Sequence, residues 1–342
     1  MRNDVARTLA ALALAIGGGT AMLAAQAQGN AAAQVHIEAA RKAAGTEHTA
    51  VFERTCNALT PPPRPATPAA PRPSGPPARE TWYTEPARVF DNLYFLGQSE
   101  YSSWAVTTSQ GIIVIDAIYD YSVEAEVVDG MKKLGLDPAQ IKYVIVSHGH
   151  GDHSGGAKFL QDRFGARVIL SAEDWDLLDR SRNNPNAQPA PRRDMVATDG
   201  MKLTLGDTTI TMYITPGHTL GTISTLIPVK DHGQTHLAAA WGGTAFNWVN
   251  GPANYITPER PAKFWFDTYA KSAQRFRNLA AAAGADIVIA NHTNFDGSKT
   301  KIPALASRTP SQTHPYVIGK EGVLQYLTVV DECAQAGSAA QQ

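Results

Sequence analysis

The residues best suited to chemistry form one short run, Ser147-His148-Gly149-His150-Gly151-Asp152-His153, with four potential metal ligands in six positions. In an extended turn, residues two apart point roughly the same way, so His148 and His150 can converge on one metal. A swing of the chain into a following helix then aims Asp152 and His153 at a second. Gly149 and Gly151 permit the tight path. A polar loop whose histidines simply meet water would account for one histidine. It does not account for three and an aspartate so spaced, because imidazoles that close repel one another when protonated.

The elements around the run must position it. It follows directly on Ile141 to Val146, which reads as a short buried strand. Upstream, Val89 to Leu96 and Trp104 to Thr108 read as strands, and Ser109-Gln110-Gly111 turns the chain into the apolar run Ile112 to Ile115. Val123, Val127, Val128, Met131 and Leu134 have helical spacing. Downstream come a helix over Gly155 to Phe164, a strand over Arg167 to Leu170 and a helix over Ala172 to Leu178. The polar, proline-containing segment Asn183 to Arg193 is a loop that could overhang a site.

Further strands are expected near Thr208 to Ile214, Ile223 to Pro228, His236 to Trp241 and Asp286 to Ala290, with a helix around Ala262 to Ala283. Periodicity alone therefore indicates a mixed α and β fold. The tail from Pro303 to Ala336, with its apolar run around Val323 to Val330, reads as a closing helix.

The H-x-H-x-D-H pattern resembles the defining motif of the metallo-β-lactamase superfamily, and the resemblance extends over about residues 82 to 300. Thr215-Pro216-Gly217-His218-Thr219 closes a strand as the family's third metal-binding motif does, and Asn291-His292 ends the late strand where the family places its last histidine. The resemblance implies an α/β (α+β) four-layer αββα sandwich, two sheets faced by helices, with the metals at one open edge. It implies two zinc ions, one on His148, His150 and His218 and one on Asp152, His153 and His292, with Asp152 also a catalytic residue that orients the attacking hydroxide. His36, His48, His232, His236 and His314 match no family motif and read as surface or core histidines.

One departure narrows the choice within the family. Glyoxalase II and lactonase types carry an aspartate bridging both metals in a Gly-Asp-Thr-like motif, whereas the corresponding stretch here is Trp241-Gly242-Gly243-Thr244. Neither aspartate nor cysteine stands there, which is similar to subclass B3 β-lactamases. Imidazoles with one carboxylate suit zinc, and related di-iron proteins have a carboxylate where this chain has His150. The resemblance thus implies a zinc-dependent hydrolase that opens β-lactam rings by attack of a zinc-bound hydroxide. The alternatives are hydrolysis of lactones or other esters at the same site, and a binding or scaffold role without turnover. A formally cationic centre favours a small-molecule substrate with a carboxylate near the scissile bond. Asp116, at the end of Ile112 to Ile115, is either a supporting carboxylate beneath the histidines or a turn cap.

Composition sets the outer limits. With 342 residues, 43% of them hydrophobic, the chain can bury a large core. Thirty Lys plus Arg against 31 Asp plus Glu, with no basic run, argue against nucleic acid as partner. Residues 1–27 read as a secretory signal, with Arg2 and Arg7, an apolar stretch from Leu9 to about Ile16, and an Ala25-Gln26-Ala27 cleavage site. The stretch is broken by Gly17 to Gly19 and falls short of the roughly 20 apolar residues of a membrane span. A periplasmic or secreted location without stable membrane insertion is the expectation.

Residues 28–60 then form a helical extension. Residues 61–78 form a proline-rich linker, with nine prolines between Pro61 and Pro77, and residues 79–337 form the hydrolase domain with its C-terminal helix. Cys56 and Cys333 are the only cysteines. An oxidising compartment would let them pair, and two unrelated buried thiols is the other reading.

Overall fold

The computed structural model describes residues 29–59, 75–184 and 187–341. The signal segment 1–27 and the linker up to residue 74 lie outside the described residues. Strands β1 (Ala87–Arg88), β2 (Leu93–Phe95), β3 (Trp104–Thr108), β4 (Gly111–Ile115), β5 (Ile141–Ile145), β6 (Arg167–Ser171) and β7 (Met195–Ala197) form one seven-stranded sheet in that order. Pairing is antiparallel from β1 to β4 and parallel from β4 to β7. The second sheet has the order β12-β11-β10-β9-β8, from β8 (Met201–Leu205), β9 (Thr208–Ile214), β10 (Ile223–Asp231), β11 (Gln234–Trp241) and β12 (Ile287–Ala290). Its pairs are antiparallel except β11 with β12.

Side-chain alternation along the strands builds the layers. In β4, Ile113 and Ile115 face the second sheet and join Ile145, Ile169, Ile210, Ile227 and Ile289 in the central core, while Val114 between them faces the other way. On that outer face Val114, Val144 and Val168 pack against Val127, Met131, Leu160 and Trp175 of the covering helices. On the second sheet Ile227 points inward, and its neighbour Leu226 points outward to Trp265, Phe276, Tyr326 and Val330. The central strands are therefore buried on both faces, which is why β4 reads as a continuous apolar run. The result is the αββα sandwich that the resemblance implied.

The helices are α1 (29–44), α2 (Thr49–Thr55), α3 (Asp129–Lys133), α4 (Gly151–Ser154), α5 (Ala157–Phe164), α6 (Ala172–Ser181), α7 (Asn247–Asn250), α8 (Ala262–Ala283), α9 (Ser298–Leu305) and α10 (Gly319–Ala339). A single π turn over Glu124–Val128 leads into α3. Gly284, in the left-handed conformation at φ 78°, ends α8. The long helices α8 and α10 pack on each other over the second sheet, and α2 docks on α10, where Cys56 and Cys333 are bonded with their Cα atoms 4.8 Å apart.

Two readings are corrected. Val89 to Leu96 is not one strand but β1 and β2 around a turn, because Asp91-Asn92 are turn formers and Val89 N and Phe90 N both donate to Leu93 O. Strands β7 and β8, short and half-exposed, were not foreseen. Among the described residues no helix is long and apolar enough to cross a membrane.

Candidate metal centre

The histidine run leaves β5 at the edge of the sandwich and is pinned from beneath. Asp116, at φ 59°, turns its carboxylate back under the run, where Oδ1 accepts from Ser147 N (2.6 Å) and Oδ2 from Ser147 Oγ (2.8 Å). Asp174 of α6 fixes the next turn: its Oδ2 accepts from Gly149 N (2.8 Å) and from Thr219 Oγ1 (2.8 Å), tying the His148–His150 turn to the loop that carries His218. Burial lifts the Asp174 carboxyl to about 6, against the pull of these donors. Helix α4 starts immediately after His150, whose carbonyl accepts from His153 N (3.0 Å), and this turns Asp152 and His153 away from the first pair.

His148, His150 and His218 converge on one point. His148 Nδ1 donates to Gly242 O (2.8 Å) and His218 Nδ1 to Ala245 O (2.7 Å), so each ring presents a bare Nε2. Those two Nε2 atoms stand 3.1 Å apart, and His150 Nδ1 lies 3.1 Å from His218 Nε2. His150 Nε2 faces Tyr255 Oη at 2.9 Å, and Asn247 Nδ2 approaches His218 Nε2 at 3.3 Å. Lone pairs that face each other cannot bond, but bonds of 2.0–2.1 Å to a tetrahedral zinc place ligand nitrogens about 3.3–3.4 Å apart. Burial, then neighbouring imidazoles, holds His148 and His218 well below the usual histidine value, and burial takes His150 to about 4. The rings are neutral, as metal ligands must be.

The second cluster is more acidic. His153 is fully buried, with Nδ1 3.0 Å from Asp116 Oδ2 and Nε2 3.3 Å from Asp152 Oδ2, yet neither contact has hydrogen-bond geometry. Burial opposes its charge, but the two carboxylates prevail and raise it to about 10. Burial likewise opposes the charge of Asp152, whose carboxyl is nevertheless held well below its ordinary range by His153 and His292. An orphaned buried imidazole nitrogen facing a carboxylate fits a cation between them. His148, Asp152 and His153 each offer an atom within 4.8 Å of the others. His292 Nε2 is 3.8 Å from Asp152 Oδ2, its ring 5.1 Å from that of His153, and burial takes it to about 3. All six residues singled out in the sequence thus gather at one edge, His292 the most loosely, and the groups His148, His150, His218 and His148, Asp152, His153 could each hold a metal ion.

A cleft of about 520 Å³ opens over them, lined by His150, Asp152, His218 and His292 together with Tyr101 and Tyr255. Tyr101, Tyr255, Asn247 and Asp174 carried no sequence signal, since each reaches the site from a separate segment. None of the described residues of the 183–193 loop lines this cleft; Gln188 instead packs on α4, its Oε1 accepting from Asp120 N (3.2 Å). His48, His314 and His236 are structural: the first two bond to Gly322 O and Val89 O, the third pairs with Asp286. Gly243 has no room for a side chain, because a Cβ there would fall 2.5 Å from both Cβ and Cγ of His218.

The sequence profile of the metallo-beta-lactamase superfamily matches residues 96–232. The chain is 30% identical over 131 residues to a hydroxyacylglutathione hydrolase of Acidiphilium cryptum, covering 38% of this chain and 45% of that protein. It is 27% identical over 170 residues to the N-acyl homoserine lactonase AttM of Rhizobium johnstonii, covering 47% and 62%. The chain thus spans about half the length of the curated relatives it matches. Among solved structures it resembles BJP-1, a subclass B3 metallo-β-lactamase of Bradyrhizobium japonicum, with a TM-score of 0.61 and 26% identity over 73% of this chain and 91% of that one. It also resembles a metallo-β-lactamase of Cronobacter sakazakii, with a TM-score of 0.57 and 28% identity over 72% and 92%. The matched profile, the fold and the structural neighbours agree that residues 96–232 carry a metallo-beta-lactamase superfamily domain.

Proposed function

We propose that the protein is an exported, two-zinc hydrolase that opens β-lactam rings. The observation that carries this reading is the ligand set: two histidine-rich clusters share one edge, and Gly243 has no space for the bridging aspartate of the lactonase and glyoxalase II types. His148, His150 and His218 would hold one zinc and Asp152, His153 and His292 the other. Bound zinc supplies Lewis acidity to the scissile carbonyl and brings the pKa of a water from 15.7 to about 7.

The chain's own residues do the rest. Gly242 O and Ala245 O set the tautomers of His148 and His218, and the Asp116 carboxylate faces His153 Nδ1 at 3.0 Å. Asp152 faces the cleft and orients the attacking water. No serine nucleophile is needed, so inhibitors that acylate a serine should fail and chelators should abolish turnover. Export is supported by the signal-like residues 1–27 and by the Cys56–Cys333 bond, which suits an oxidising compartment.

A second reading, hydrolysis of lactones or thioesters at the same site, is favoured by the names of the curated relatives. Steady-state rates of zinc-loaded protein on a β-lactam panel beside lactone and thioester panels separate the two. Turnover of a lactone or thioester without turnover of any β-lactam, or a stable acyl-enzyme by mass spectrometry, overturns the β-lactam reading. Tight zinc with no hydrolysis at all would point to a binding role.

A further inference from the structure

One residue of the cleft comes from the N-terminal extension, upstream of the segment that matches the superfamily. Arg54, on α2, lines the same cavity as His150, Asp152, His218 and His292. Its backbone is tightly held. Val51, Phe52 and Thr55 are buried on the inner face of α2, and the adjoining Cys56 is bonded to Cys333. At the start of α2, His48 Nε2 donates to Gly322 O (2.9 Å) and Glu47 pairs with Lys301 (2.8 Å).

The Arg54 side chain itself is exposed, and among the described residues it has no ion-pair partner. Two carboxylates share the cleft with it. Glu100 is engaged by Lys299 and Asn294, and Asp152 by His153. A guanidinium on a fixed helix, with its planar fork of donors beside a cleft and no anion of its own, is suited to bidentate capture of a carboxylate.

We infer that Arg54 anchors a carboxylate of the substrate, so that the N-terminal extension forms a working wall of the active site. This rests on the hydrolase reading only in that a substrate enters the cleft; it is independent of which bond is cleaved. A cation fixed at the rim selects among substrates by charge, and a substrate lacking the carboxylate gains nothing from it.

The test compares the parent with Arg54→Ala and Arg54→Lys on matched pairs, a penicillin with its methyl ester and a glutathione thioester with its dimethyl ester. Arg54→Ala should raise KM for the acid of each hydrolysed pair about tenfold or more, with a far smaller change in kcat and none in KM for the ester. Arg54→Lys should recover part of the loss. Calorimetric titration of benzylpenicillin and its methyl ester into chelator-stripped protein reads the same preference without turnover, and the acid alone should bind more weakly to Arg54→Ala. Equal shifts for acid and ester, or no shift in either, overturn the proposal. If no β-lactam is turned over but the thioester pair or the titration shows the preference, Arg54 stands and the β-lactam reading falls.

Discussion

At the scale of single residues, the first metal cluster is defined by where protons cannot be. Two backbone carbonyls commit the Nδ1 atoms of His148 and His218, which leaves their Nε2 atoms, 3.1 Å apart, as acceptors aimed at one point and suited to a shared cation. Purified protein should therefore contain about two zinc ions per chain, and His148→Ala and His292→Ala should each lower that content in elemental analysis. Only trace zinc or iron in the parent would sink the assignment. Asp116→Asn keeps the shape beneath the run but removes the charge facing His153 at 3.0 Å. It should weaken zinc binding by about 10–100-fold in competition with a chelator. Gly243→Asp tests the ligand set from the other side. Its Cβ would displace the His218 ring, so metal at the first cluster should be lost and no bridging ligand gained, whereas intact two-zinc occupancy would show that the site can accommodate the carboxylate after all.

At the scale of elements, the strands buried on both faces and the long helices were legible because their patterns are strong: α8 spans the residues expected, and β5 ends one residue short of its expected limit. Short edge strands were not, since β7 and β8 bury few side chains and carry no sustained period. The same contrast runs through the site. His148, His150, Asp152 and His153 are consecutive on one turn and could be read directly, while His218 and His292 needed the family pattern. Tyr255, Asp174 and Arg54 arrive by tertiary packing, which spacing along the chain does not encode. The π turn before α3 holds an acid that sequence gave no reason to notice. Glu126 is fully buried, with Oε1 accepting from Thr84 N (3.1 Å) and Oε2 without a partner, and burial lifts it to about 8. Because its folded value exceeds the unfolded one, the folded chain keeps a proton that the unfolded chain releases. Stability should fall as pH rises from about 4.3 toward 8. Glu126→Gln cannot ionise, so its Tm relative to the parent should climb across that window; a constant offset at all pH values would show that Glu126 does not titrate there.

At the scale of the whole molecule, one covalent bond joins the two ends of the described fold. Cys56 follows α2 and Cys333 lies within α10, 277 residues apart in sequence, so the bond encloses both sheets. Sequence alone left this pairing open, because it says nothing of the distance between two cysteines. The structure closes it by stacking α2 on α10, with Val51 and Phe52 in the same core as Tyr326 and Val330. In the chain-entropy model a loop of that length restrains the unfolded chain by up to roughly 5 kcal/mol, with native strain and residual structure reducing the figure. Free-thiol titration of the unfolded, unreduced protein should return no thiols, and a return of two would refute the bond. A Cys56→Ser, Cys333→Ser double variant should unfold at lower denaturant, by a margin that reports how much of that ceiling is realised. Its zinc content should stay at the parent level, since every ligand lies on elements held by the two sheets. The variant should instead lose order at α2 first, visible as faster amide hydrogen exchange over 49–55 than over the β-strands, because the bond ties the C-terminal end of that helix to α10.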